Sequence, residues 1–113
     1  MTTISDDFMK QMLTSTKGYT VVILKAGPNR ERPDVQQIIW EHARRNFALR
    51  ADGLLSIVCP VTDESEVKGI GIFNADEGET KKIMDADPGV IEGVFVYETH
   101  SARSFPGDAL AIN

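Results

Sequence analysis

Two stretches with the 3.6-residue periodicity of amphipathic helices each fall between runs of β-branched and aromatic residues, and that alternation restricts the fold more than any other feature. Tyr19-Thr20-Val21-Val22-Ile23-Leu24 is β-branched or apolar throughout. It is too short and too β-prone for a helix and reads as a strand with both faces covered. Gly27-Pro28-Asn29 turns the chain. A helix then opens with Pro33 in its first turn and Asp34 at its positive end, and Asp52-Gly53 ends it. Its apolar face carries Val35, Ile38, Ile39, His42, Ala43, Asn46, Phe47 and Leu49. Leu54–Val61 and Glu66–Asn74 read as strands joined by the polar connection Thr62-Asp63-Glu64-Ser65. Asp76 and Glu79 have capping-box spacing and open a second helix, which runs to about Ala86 before Pro88 stops it. Gly93–Arg103 is a long last strand.

The order β-α-β-β-α-β describes an α+β, ferredoxin-like sheet with both helices on one face. Ile4, Phe8, Met12 and Leu13 recur at helical spacing before it, with Ser5 as a cap and Gly18 as a stop. The chain therefore divides into a helical extension (1–18), one domain (19–105) and a tail (106–113). The extension is expected to pack on the domain or on a partner chain. Strand residues 19–24 are apolar at both parities, and the last strand pairs Val94 and Val96 with Phe95 and Tyr97. The helix-free sheet face is then apolar too, which implies a partner, most simply a second copy.

Composition narrows the function. With 113 residues and 42% apolar side chains, the chain has enough for one core. A net charge of −5 argues against general affinity for nucleic acid or anionic membranes. No secretion signal or membrane-crossing run is expected from the residues, and one cysteine suits a reducing, cytoplasmic compartment. No residues have metal-ligand spacing, and Gly69-Ile70-Gly71 lies within a strand, so neither a metal nor a nucleotide cofactor is expected. Half of the twelve basic residues (Lys25, Arg30, Arg32, Arg44, Arg45 and Arg50) fall between positions 25 and 50. They form either a field for an anionic small molecule or a solvated helix face.

His42 is the most informative residue. It sits mid-helix on the face turned to the sheet, and imidazole is the side chain whose charge changes near neutral pH. It is either a general acid or base or a core histidine bonded to backbone. Asn46, one turn on, either completes a polar pocket or lies solvated at the edge of the stripe. Asp87 opposes the dipole of the preceding helix, which suits a partner for an imidazole; with Pro88 it equally suits an N-cap. Cys59 reads as a buried structural thiol. His100 belongs to the last strand, facing the pocket or, by preference, the dimer seam.

Taken in order, these motifs resemble the YCII-related (YciI-like) family. The Gly27-Pro28 turn ends an apolar strand, and His42 is followed four residues on by Asn46. Gly53-Leu54-Leu55 leads to Cys59-Pro60, and a strand carries Gly69-Ile70-Gly71-Ile72-Phe73. Asp87-Pro88-Gly89-Val90 precedes Gly93-Val94-Phe95-Val96. The resemblance spans about residues 19–103. Cys59 replaces a common glycine, and the Pro-Trp common near the end of the last strand is missing. The resemblance implies a dimeric α/β barrel and a pocket in which His42 and Asp87 form a catalytic pair. It also implies cofactor-free, lyase- or isomerase-like chemistry on a small organic substrate, cyclic compounds among them. Asn46 and Lys25 are expected to hold the substrate's polar end. The alternative is a non-catalytic ligand-binding or regulatory dimer.

Overall fold

The computed structural model describes residues 1–113. Its elements are α1 (Asp6–Leu13), β1 (Lys17–Ala26), α2 (Val35–Ala51), β2 (Leu55–Pro60), β3 (Val67–Phe73), α3 (Glu77–Asp85), α4 (Pro88–Ile91) and β4 (Phe95–Ser104). The strands form one sheet in the order β2-β3-β1-β4, antiparallel at every step. The protein is α+β, and this topology is compatible with a ferredoxin-like fold.

Strand parity decides what is buried. Thr20, Val22 and Leu24 of β1 point to the helices and are buried, as are Leu55, Phe73 and Phe95 on neighbouring strands. Ile83 and Met84 of α3 close over them, and Val35, Ile38 and Ile39 of α2 pack alongside. The buried Thr20 hydroxyl donates to the Ala75 carbonyl (2.9 Å), so its polarity is satisfied inside the core. On the opposite parity Tyr19, Val21 and Ile23 are only half-buried in the single chain. The helices thus cover one face of β1 rather than the two that its uniformly apolar sequence suggests.

The connection after β1 is fixed by the start of β4. Gly27 N–H donates to Val94 O and Asn29 N–H to Gly93 O, both at 2.8 Å, while Asn29 Nδ2 reaches Glu92 O at 2.9 Å. A Cβ on Gly27 would overlap the Gly93 carbonyl and stand 2.9 Å from Phe95 N, so no other residue fits this approach. The turn that leads to α2 is therefore tied down rather than free.

Several expectations shift in detail. α1 ends at Leu13 and Gly18 lies inside β1, because the strand pairs from Lys17 onward with Ser104. Ser5 does cap α1, accepting from Phe8 N–H at 3.2 Å. No residue of α1 is buried, so it does not pack on its own domain. It contributes to an elongated outline of 56 × 30 × 23 Å and a radius of gyration of 16.4 Å, against about 13 Å for a compact 100-residue domain. Pro33 precedes α2 instead of entering it, and Asp34 makes no capping bond because Arg32 holds its carboxylate. α3 is capped as expected, Asp76 Oδ1 accepting from Glu79 N–H (2.8 Å).

Tyr97 ties β4 to the end of α3, its hydroxyl donating to Asp85 Oδ1 at 2.6 Å. Burial, helped by the Asp85 carboxylate, pushes the phenol up to about 12. The folded state favours the protonated phenol. This contribution to stability is therefore complete below about 10, the value of a free phenol, and is lost as pH climbs through about 12. A spectrophotometric titration should show one tyrosine ionising near that value, and Tyr97→Phe should remove that step. Persistence of the late step in the variant would contradict the assignment.

Candidate functional site

Between α2 and the β2-β3-β1 part of the sheet lies a cavity of about 280 Å³. The sheet leaves this space because Gly69 and Gly71 stand on its inner parity where side chains would otherwise fill it. A Cβ on Gly71 would press on Leu55 Cδ1 at 3.2 Å, whereas one on Gly69 would meet nothing nearer than 3.6 Å. Most of the lining is apolar, with Ile39, Phe47, Val58 and Phe95 among it, and its polar groups are few.

His42 is placed there by the helical stripe. It follows Ile38 and Ile39 by one turn and is 8% exposed. Its Nδ1 lies 2.9 Å from both oxygens of Asp87, which is 1% exposed. Asp87 is also the N-cap of α4, with Oδ2 accepting from Gly89 N–H (2.9 Å) and Val90 N–H (3.2 Å), and Pro88 occupies the first turn. The two roles open from sequence are therefore held together by one carboxylate.

This geometry sets the tautomer. An ionised carboxylate only accepts, so Nδ1 carries the hydrogen and Nε2 keeps its lone pair. Asn46 Nδ2 lies 3.2 Å from Nε2 and donates to it. The imidazole also packs on Phe95, with ring centroids 4.7 Å apart and planes tilted by 46°. Arg45 Nη1 lies 3.7 Å from Asp87 Oδ1, close enough to add positive charge but too far to hydrogen-bond, and this buried nitrogen has no other partner.

The structure brings His42, Asp87 and Asn46 together but leaves Lys25 out. Lys25 points from the helix-free face, where its Nζ lies 2.6 Å from Glu98 Oε1. The parity that buries Leu24 on the inner face sends the next side chain outward. The hydrogen bond from Lys25, with help from His100, holds the Glu98 carboxyl below its ordinary value, and Glu98 in turn raises Lys25. His100, 2.7 Å from Glu98 Oε2, shares that outer face. Cys59 is exposed, not buried. The β2-β3 register shifts between Leu55 and Ile57, so Cys59 pairs with Ile70 on an edge strand with only one neighbour. Phe47, expected inside, is 60% exposed at the rim of the cavity.

Arg30 was not legible as a cavity residue. It borders the space with its guanidinium carbon 5.4 Å from the centroid of the Phe95 ring. The sequence signals were its place directly after the Gly27-Pro28-Asn29 turn and its membership of the basic cluster between positions 25 and 50, neither of which assigns the cavity to it rather than to the other five cations. No three His, Cys, Asp or Glu side chains converge anywhere in the fold to offer a metal a ligand set.

Asp87→Asn separates the carboxylate's two roles. Asparagine can keep its oxygen on the α4 amides, which turns its NH2 toward His42 Nδ1. Nδ1 must then accept, and the ring hydrogen moves to Nε2. Nitrogen-15 NMR of the ring should find the Nδ1–H form in the native protein and the Nε2–H form in the variant. Denaturant unfolding should show a loss of about 1–3 kcal/mol for the buried charge-assisted bond. An Nε2–H ring in the native protein would refute the tautomer. No protein-family profile matches this chain, and no curated protein shows significant similarity to it.

Proposed function

We propose that the chain is a YciI-like, cofactor-independent enzyme of lyase or isomerase type. In this reading it acts in the cytoplasm on a small organic, often cyclic, substrate. The observation that carries the proposal is the His42–Asp87 pair, with the carboxylate at Nδ1 and the opposite nitrogen, Nε2, at the wall of an apolar cavity where its only partner is Asn46. A lone pair so oriented is a general base for a carbon-bound proton. On taking the proton the ring becomes an imidazolium, and Asp87 stabilises that charge without itself moving a proton. The imidazolium then returns its proton to another atom of the substrate, which isomerises it, or to a leaving group, which eliminates it. Asn46 yields its contact with Nε2 as substrate arrives and holds a polar group beside it. Lys25 has no part in this mechanism, since it faces away from the cavity.

Proton transfer of this kind is read by solvent deuterium. Small cyclic ketones and lactones incubated in D2O with the protein should include compounds that gain deuterium, followed by NMR. His42→Ala should slow the exchange by about 10²–10⁴-fold, the usual worth of a general base. Compounds that bind beside His42 yet exchange no faster than in buffer would favour a non-catalytic binding module instead. The contact between Asn46 and Nε2 at 3.2 Å is the one feature that suits such a module, because it satisfies the lone pair without substrate.

The same reading makes the protein a homodimer through the helix-free sheet face, closing two sheets into a barrel. Val21, Ile23, Ile70, Ile72 and Val96 lie there, with Ile70 37% and Val96 44% exposed in the single chain. A stable interface of ordinary size buries about 1,200–2,000 Å² in total. Light scattering should give twice the chain mass. Val96→Asp, which disturbs no core contact of its own chain, should shift it toward monomer or unfold it. A native protein that stays monomeric at micromolar concentration would end the dimer proposal.

A further inference from the structure

We infer that Arg30 anchors a carboxylate, so that the cavity takes small monoanionic acids with an apolar body. This rests on the reading of the cavity as a ligand site and names the chemistry of the ligand. An apolar cavity leaves recognition to the few polar groups at its wall, here His42, Asn46, Arg30 and Lys68. The first two satisfy one another at 3.2 Å. Lys68 Nζ donates to the Ser65 carbonyl at 2.8 Å. The Arg30 guanidinium has neither a carboxylate nor a side-chain acceptor. Of the acidic groups near its loop, Asp34 and Glu92 are held by Arg32 at 2.7 Å, and the neighbouring Glu31 makes no ion pair with Arg30. A net charge of −5 makes an unpaired cation at a cavity wall a poor product of chance neutralisation.

Its position is fixed as well as free. The guanidinium rests on Phe95 at 5.4 Å, and the same ring carries His42 at 4.7 Å between centroids. The loop that bears it is pinned by Gly27 and Asn29 to the start of β4. A planar guanidinium matches a carboxylate through two parallel hydrogen bonds. A ligand held that way has its apolar body in the cavity and the carbons near its carboxylate beside Nε2. The buried Asp87 carboxylate behind the imidazole opposes a second negative charge, so a monoanion is favoured over a phosphate dianion.

Benzoate, benzamide and phenyl phosphate serve as probes of one shape and three charges. Calorimetry on the full chain should show saturable benzoate binding, with benzamide and phenyl phosphate each bound more weakly. Arg30→Gln should weaken benzoate about tenfold or more, the usual worth of a charge-assisted hydrogen bond, and leave benzamide unchanged. Arg30→Lys, which keeps the charge and loses the fork, should fall between. Unchanged far-ultraviolet dichroism confirms that both variants fold. The anchor is wrong if benzoate shows no saturable binding, if benzamide equals it, if Arg30→Gln leaves it intact, or if phenyl phosphate binds tighter. The base reading fails separately. Arg30-dependent benzoate binding without any deuterium exchange dependent on His42 would keep the anchor and discard the catalyst. Exchange that depends on His42, together with benzoate binding that Arg30→Gln leaves intact, would do the reverse.

Discussion

The carboxylate of Asp87 is the point on which the rest of this structure depends. It is almost wholly withdrawn from water, and a buried charge is tolerated only when its oxygens are occupied. Here the occupants come from two distant pieces of chain: two backbone amides of α4 and the imidazole of α2. Neither set is dispensable. Without the amides the carboxylate would lack its fixed orientation, and without the imidazole its Oδ1 would keep no hydrogen bond, only the more distant charge of Arg45 at 3.7 Å. The short helix α4 exists largely to hold this group, since a four-residue turn has little stability of its own.

From that anchor the site is assembled outward. Asp87 fixes which nitrogen of His42 carries the lone pair, Phe95 packs against the ring, and Asn46 donates to that lone pair. The turn at Gly27 then clamps the loop carrying Arg30 against β4, the strand that supplies Phe95. Helix α2 and the loop that leads into it thus converge on one aromatic ring of the distant strand β4. The arrangement is rigid at its base and open only at the rim, where Phe47 and the edge strand β2 meet solvent.

How far this was legible in the sequence follows from the range of each signal. Local periodicity placed His42 inward and Asn46 beside it, because a helix repeats faithfully over 17 residues. The cap chemistry of Asp87-Pro88 was equally local and equally readable. Its partnership with His42 was open only as one of two readings of a carboxylate that opposes a helix dipole, since no spacing rule relates residues 45 apart; the family resemblance is what favoured it. Cys59 was read as buried from the general tendency of thiols, and that tendency carries no positional information. One residue of slip in β2 pairs it with Ile70 on the edge strand, where it is exposed at the border of the cavity. Lys25 was misplaced for a simpler reason: an apolar run offers no alternation from which to tell its two faces apart. Arg30 lies on a loop, and a loop's direction depends on what it docks against.

The two glycines of β3 have a meaning beyond the room they provide. The gap left by Gly71 is already crowded at its edge, whereas that at Gly69 has ordinary clearance on all sides. A chain in evolution can therefore change the volume of the cavity by small substitutions at Gly69 while β3, the sheet pairing and the His42–Asp87 pair remain as they are. The room in the cavity and the His42–Asp87 pair depend on different elements, the first on a strand and the second on helices. Chains that share the pair are thus free to differ in the shape of the cavity beside it.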